Sequence, residues 1–179
     1  MIKLGAKDLR TTIPREEDIA KIKKNPIYII LDNVLDTYNV GGIFRLADAV
    51  AAEKVILCGQ TETPPDSRIK KASINTTEWV TWSYASTAIE ALHELKTQSP
   101  IQSGTKLKTI AIEQNERSVP YDKADYQFPI ALVVGHESEG VSKEVLDIAD
   151  QIVEIPMWGV NKSLNVIVSL GIVLFKVME

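Results

Sequence analysis

From about residue 27 onward, short continuous runs of apolar residues alternate with longer stretches in which apolar positions recur every three or four residues. The short runs are "IYIILD" (Ile27 to Asp32), "KVILCG", "VTWSY", "KTIAIE", "IALVVG" and "QIVEIP", and each predicts a strand. Several are apolar throughout, as strands covered on both faces must be. Helical patterns lie between most of them, so the chain predicts an α/β domain with a mainly parallel sheet flanked by helices. That domain occupies residues 27–179. Residues 1–26 form a short polar amino-terminal extension holding one predicted helix, "REEDIAKIKK", ended by Asn25-Pro26. "TETPPDS" (Thr61 to Ser67) and "TQSPIQSGT" (Thr97 to Thr105) predict loops.

A chain of 179 residues with 45% apolar content can build one sizeable core. Twenty basic residues stand against twenty-four acidic ones, a formal charge of −4, so no global positive field draws in nucleic acid. Local patches would have to meet such a partner. Lys21, Lys23 and Lys24 form one, Arg68, Lys70 and Lys71 another, and Lys106 with Lys108 a third; each taken alone reads as a solvated face. The single Cys58 closes an apolar run and reads as a buried core residue in a reducing compartment. With only His93 and His136 beside it, no metal site is expected. The amino terminus has no apolar targeting segment, and Asn165, Ser169 and Lys176 interrupt the closing apolar stretch. A soluble cytoplasmic protein without a membrane span is the expectation.

Ligands of parallel sheets bind beyond the carboxyl ends of the strands, which directs attention to three post-strand segments. In "DNVLDTYNVGGIFRLADAV", Asn39 is the expected helix N-cap, and Gly41 and Gly42 weaken the first turn unless something approaches the backbone closely. A neighbouring element or a phosphate or ribose at the helix end would each explain them. Arg45, two turns in, is the only cation of that helix, and a surface pairing with Asp48 is its plain reading. No G-x-G-x-x-G stands here, which argues against a dinucleotide site. In "GHESEGVS", Gly135 and Gly140 frame an acid, and Ser142 can cap a helix; an ordinary strand-to-helix turn with a solvated Glu137 explains the segment equally well. In "EIPMWGVNKSLNV", either Ser163 or Asn165 suffices to cap the closing helix. The surplus polar group points to a bound molecule.

Taken in this order, the three segments resemble the SpoU/TrmH branch of the SPOUT superfamily, S-adenosylmethionine-dependent RNA ribose 2′-O-methyltransferases. "NVGGIFRLADA" is similar to the first motif, with Asn39 and Arg45 in place; "VVGHESEGVS" to the second, with Gly135, Glu137 and Gly140; and "IPMWGVNKSLNVIVSL" to the third, with Ile155, Pro156, Met157, Ser163, Leu164 and Asn165. His136 departs from the small polar residue often found at its position. The resemblance covers roughly residues 27 to 178.

It implies a carboxyl-terminal trefoil knot, a rare exception to unknotted chains, and a homodimer whose active sites draw on both subunits. It further implies that Arg45 activates the ribose hydroxyl, with Asn39, Glu137, Ser163 and Asn165 orienting the reactants. Ile112, Gly135, Ile155, Met157 and Leu164 would then hold S-adenosylmethionine. RNA, with tRNA favoured over rRNA, would meet Arg45 together with the patches at Lys21, Lys23 and Lys24 and at Arg68, Lys70 and Lys71. Three other readings stay open: an RNA- and cofactor-binding module without transfer activity, methylation of a base rather than a ribose, and, were all three motif matches accidental, a generic nucleotide-binding α/β protein.

Overall fold

A computed structural model describes residues 3–98 and 105–179. Seven strands form one sheet: β1 (Asn25–Asp32), β2 (Ala52–Cys58), β3 (Trp82–Ala85), β4 (Lys108–Ile112), β5 (Val119–Pro120), β6 (Ile130–Gly135) and β7 (Gln151–Glu154). Their order across the sheet is β3-β2-β1-β6-β4-β7-β5, and every pairing is parallel. The six strands predicted from apolar runs are all present. The two-residue β5 was not predicted, because "VP" is too short to carry a period. Residues 99–104 of the second predicted loop lie outside the described residues.

Parallel strands covered on both faces need helices on both sides, and the residue alternation sorts the core accordingly. Ile27, Ile29 and Leu31 point into one cluster with Val40, Ile43 and Phe44 of α3 (Thr37–Ala49) and Leu170, Val173 and Leu174 of α7 (Val166–Val177). Ile30 faces the other way, toward Ala88, Ala91, Leu92 and Leu95 of α5 (Ala88–Gln98) and Val145 of α6 (Lys143–Ile148). Cys58 lies in this second cluster, fully buried. Burial, with the neighbouring charges of Asp32 and Glu90, pushes its thiol up to about 12, which makes it unreactive.

The amino-terminal extension departs from expectation. In place of one helix over residues 15–24 it forms two single turns, α1 (Ala6–Leu9) and α2 (Glu16–Ile19), neither burying any residue. Arg15 bridges Glu17 and Asp18, and Lys21 bridges Asp18, all at the surface. Without an apolar face to bury, local ion pairs do not repay the cost of extending a helix.

Gly41 and Gly42 do mark close approach, but by helices rather than a ligand. A Cβ on Gly41 would sit 2.5 Å from Ala72 Cβ and 2.8 Å from the Ile69 carbonyl of α4 (Ser67–Ser73), and one on Gly42 would sit 2.4 Å from Ile167 Cδ1 of α7. Chain order reverses between β1 and β6, which run side by side with Asp32 opposite Gly135. The crevice beyond their carboxyl ends is where such sheets bind ligands.

Candidate active site

Around that crevice, three post-strand segments are joined by side-chain hydrogen bonds. Asn165 Nδ2 donates to Asn39 Oδ1 at 3.0 Å, and Asn39 Nδ2 donates to Glu137 Oε1 at 2.8 Å. Glu137 also accepts the backbone amides of Asp36 at 3.0 Å and Leu35 at 3.1 Å. Burial pushes its carboxyl up, but the Asn39 side chain and the Asp36 and Leu35 amides outweigh that and hold it below its ordinary value. Glu137 is therefore an ionised tie between segments rather than a freely solvated acid.

Asn39 does not cap α3. Asp36 holds the N-cap, accepting from the Tyr38 amide at 2.8 Å, and Asn39 lies buried inside the first turn. That frees its amide to point across to the other two segments. Asn165 caps α7, its Oδ1 accepting from the Ile167 amide at 2.9 Å while its Nδ2 reaches Asn39. The two ends of one side chain thus serve two tasks. Ser163 stands outside this chain of bonds, its hydroxyl donating to Asn161 Oδ1 at 3.3 Å. Ser142 occupies the N-cap of α6 but makes no side-chain cap; its backbone amide instead donates to Asp32 Oδ2 at 2.9 Å.

Beside these bonds opens a cavity of about 520 Å³, within the range of cofactor sites. Of the predicted residues, Ile112, Gly135, Glu137, Ile155, Met157, Ser163, Leu164 and Asn165 all line it. Gly135 is required: a Cβ there would meet the Gly140 backbone at 2.1 Å. Gly140 has φ of +74° and is tied to His136 by two backbone hydrogen bonds. His136 Nδ1 accepts the amides of Ser138 and Glu139 at 3.0 and 3.2 Å, which closes the turn and leaves Nε2 carrying the proton.

The sequence reading missed Glu113. It follows strand β4 and accepts from the Val141 amide at 2.9 Å and the Gln114 amide at 2.8 Å, bracing the glycine turn from the far side. An acid directly after a buried apolar run was the available signal. Glu154 also lines the cavity, and among the described residues it makes no side-chain hydrogen bond or ion pair.

Arg45 is exposed on α3, does not line the cavity and, among the described residues, forms no ion pair. The expected Arg45–Asp48 pair is absent because Asp48 accepts from Trp79 Nε1 at 2.6 Å. Of the basic patches, Lys21 is paired with Asp18 and Lys70 with Glu78, at 3.5 and 3.2 Å. Lys23, Arg68 and Lys71 are exposed and, among the described residues, form no ion pair, and Lys24 is half-buried. Among the described residues, no helix is long and apolar enough to cross a membrane.

A parallel sheet whose reversal point carries a cofactor-sized cavity, edged by interlocked polar loops, defines the protein as an α/β domain built to bind a ligand at its strand ends. The chain belongs to the SpoU rRNA Methylase family, whose profile matches residues 26–175. It is 30% identical over 174 residues to a 23S rRNA (guanosine-2′-O-)-methyltransferase RlmB of Ralstonia nicotianae, covering 97% of this chain and 67% of that one. A tRNA (guanosine(18)-2′-O)-methyltransferase of Aquifex aeolicus is 29% identical over 174 residues, covering 94% and 76%. Among solved structures, an AdoMet-bound rRNA methyltransferase from Sinorhizobium meliloti superposes with a TM-score of 0.76 at 28% identity, over 94% of this chain and 59% of that one.

Proposed function

We propose that the protein is an S-adenosylmethionine-dependent RNA methyltransferase acting on a ribose 2′-hydroxyl. The observation that carries this reading is the Asn165–Asn39–Glu137 chain of hydrogen bonds at the edge of the cavity, which ties the three family motifs into one site. Family membership and the names of the relatives support it. Residues 27–179 form the methyltransferase domain and residues 1–26 its extension. The segments after β4, β6 and β7 brace one another, Glu113 holding Val141 and Gln114 holding the Lys162 carbonyl, which supports the reading that they form a carboxyl-terminal trefoil knot.

The cavity suits the cofactor on its own terms. Ile112, Ile155, Met157 and Leu164 give apolar walls, Gly135 leaves room for a close backbone approach, and the unpaired Glu154 carboxylate suits a cationic group. When bound, S-adenosylmethionine supplies a methyl group on a positively charged sulfur, open to in-line attack by an oxygen nucleophile. The protein's part is positioning, which can supply much of such a rate. Asn39 and Glu137 fix the α3 amino terminus against the glycine turn, and Asn165 fixes the closing helix to both. Ser163 holds the loop that enters this helix, through Asn161.

Arg45 is always charged, so its role is to meet the developing 2′-oxyanion or an adjacent phosphate rather than to accept a proton. Its place outside the cavity of its own subunit supports a homodimer in which Arg45 of the partner subunit completes each site. Arg68 and Lys71, on the helix packed along α3, add exposed cations for the RNA backbone, and Lys70 joins by exchanging Glu78 for phosphate. Lys21, Lys23 and Lys24 supply a second contact. The substrate is RNA in the cytoplasm. Greater coverage of the Aquifex tRNA enzyme than of the Ralstonia rRNA enzyme favours tRNA.

The test incubates purified protein and an Arg45→Ala control with methyl-labelled S-adenosylmethionine and unmodified tRNA or rRNA, followed by nucleoside analysis. A labelled 2′-O-methyl nucleoside, reduced at least about a hundredfold in the control, is the expected result. A labelled base would redirect the reading to base methylation. Cofactor binding without any transfer would leave a binding module.

A further inference from the structure

The chain has three tryptophans, and two of them have structural work. Trp79 and Trp82 are half-buried against the core, and Trp79 is pinned to Asp48. Trp158 is different: 92% exposed, in the segment between β7 and α7, directly after the cavity-lining Met157. Its loop is anchored rather than free. Gln114 Nε2 donates to the Lys162 carbonyl, and the Ser163 amide donates to Asn161 Oδ1 at 3.1 Å. Lys162 lines the cavity four residues from the indole, and among the described residues it forms no ion pair. Of the three carboxylates that share that lining, Glu113 and Glu137 are already engaged by amide donors, and Glu154, assigned above to the cationic group of the cofactor, forms no ion pair with Lys162.

An unpartnered aromatic ring and an unpaired ammonium on one anchored loop match the two parts of a nucleotide, a flat base and a phosphate. The ring shares its loop with the exposed Val160 and Leu164 and with the polar or charged Asn161, Lys162 and Ser163, a mixed surface in which the ammonium beside the indole favours a phosphate-bearing strand over a second copy of the chain. We infer that Trp158 stacks on an RNA base next to the methylated ribose while Lys162 holds the adjoining phosphate. Trp158 is thus a positioning contact for the substrate strand. This rests on the proposed RNA methyltransferase reading. Stacking on a tryptophan face is sequence-tolerant, so Trp158 would hold the strand in register while other contacts choose the nucleotide.

The test measures affinity for a labelled unmodified tRNA transcript and for a 23S rRNA fragment, by fluorescence anisotropy with S-adenosylhomocysteine present. Trp158→Ala is expected to weaken binding roughly tenfold. Trp158→Phe should recover most of the loss and Trp158→Leu should not, since only the former retains a ring. Lys162→Ala should lower the slope of log affinity against log salt by about one phosphate contact. S-adenosylmethionine affinity, measured by calorimetry, should stay the same in every Trp158 variant. Equal rescue by leucine and phenylalanine, or an unchanged affinity in Trp158→Ala, overturns the inference. So does a loss that tracks dimer dissociation in ultracentrifugation, which would assign the ring to a second copy of the chain. Transfer assays separate the two proposals. A wild-type protein that binds RNA through Trp158 yet transfers no methyl group sinks the proposed function alone, and one that binds neither RNA sinks both.

Discussion

Asn39 is the residue on which the site turns, because its one amide group both donates to Glu137 and accepts from Asn165. Replacing it with alanine removes both bonds and strands a carboxylate and an amide at once. We expect about a hundredfold loss of kcat, since small misplacements of bound reactants carry costs of that order, with cofactor affinity changed far less. Asn39→Asp sharpens the test: it keeps the shape and the acceptor but sets a second carboxylate against Glu137. It should be as inactive as alanine at neutral pH and should recover in part as acid protonates one of the pair. The Glu137 carboxyl itself predicts a pH signature. Its value is held down in the folded protein, so the stability it adds is complete above the ordinary carboxylate range and is lost as pH falls below that range. Urea midpoints of the wild type and Glu137→Gln should therefore differ at neutral pH and converge in acid. A constant gap would deny Glu137 its ionised role. Sequence alone placed Asn39 and Glu137 among the residues of interest. It gave Asn39 the wrong local task, because a helix begun three residues earlier by Asp36 has no distinguishing periodicity.

Two glycines of similar appearance in the sequence have opposite meanings in their helices. Gly41 lies where α3 presses on α4, and an added methyl would be driven within 3 Å of both the backbone and Ala72. Gly171, in α7, would place its Cβ 3.7 Å from Leu46 Cδ2, an ordinary contact. Gly41→Ala is expected to destabilise by about 1–3 kcal/mol, as overpacking at a tight contact does. Gly171→Ala should be neutral or stabilising by up to about 1 kcal/mol, since alanine is the better helix former. Chemical denaturation of the two variants measures both, and a Gly41→Ala protein as stable as the wild type would contradict the α3–α4 packing. The contrast has a functional side, because α4 carries Arg68, Lys70 and Lys71 and α3 carries Arg45. A displaced α4 should thus weaken RNA binding more than cofactor binding. The need for close approach at Gly41 and Gly42 was legible as a cost in helix propensity. What approaches them was not, because helix–helix neighbours are set by the tertiary fold.

At the scale of the whole molecule, the parallel sheet was legible because its central strands are buried on both faces and read as unbroken apolar runs. Strand order was not, since β6 pairs with β1 across nearly a hundred intervening residues and nothing local encodes that partner. The same limit governs Arg45: the sequence marks it as an unusual cation, and only the fold puts it outside its own cavity. If the proposed dimer completes each site with Arg45 of the partner subunit, catalysis can be divided between chains. Arg45→Ala spoils the site of the neighbour, whereas Asn165→Ala spoils the site of its own subunit. Each homodimer should be inactive. A mixed dimer keeps one intact site, formed by the natural Asn165 of one subunit and the natural Arg45 of the other. Refolding the two variants together in equal amounts should give half mixed dimers by random pairing, and so recover roughly a quarter of wild-type activity. Arg45 acting within its own subunit would instead leave every site in the mixture defective. Activity near zero after verified subunit exchange would therefore return Arg45 to its own chain, and would require α3 to move before the reaction could occur.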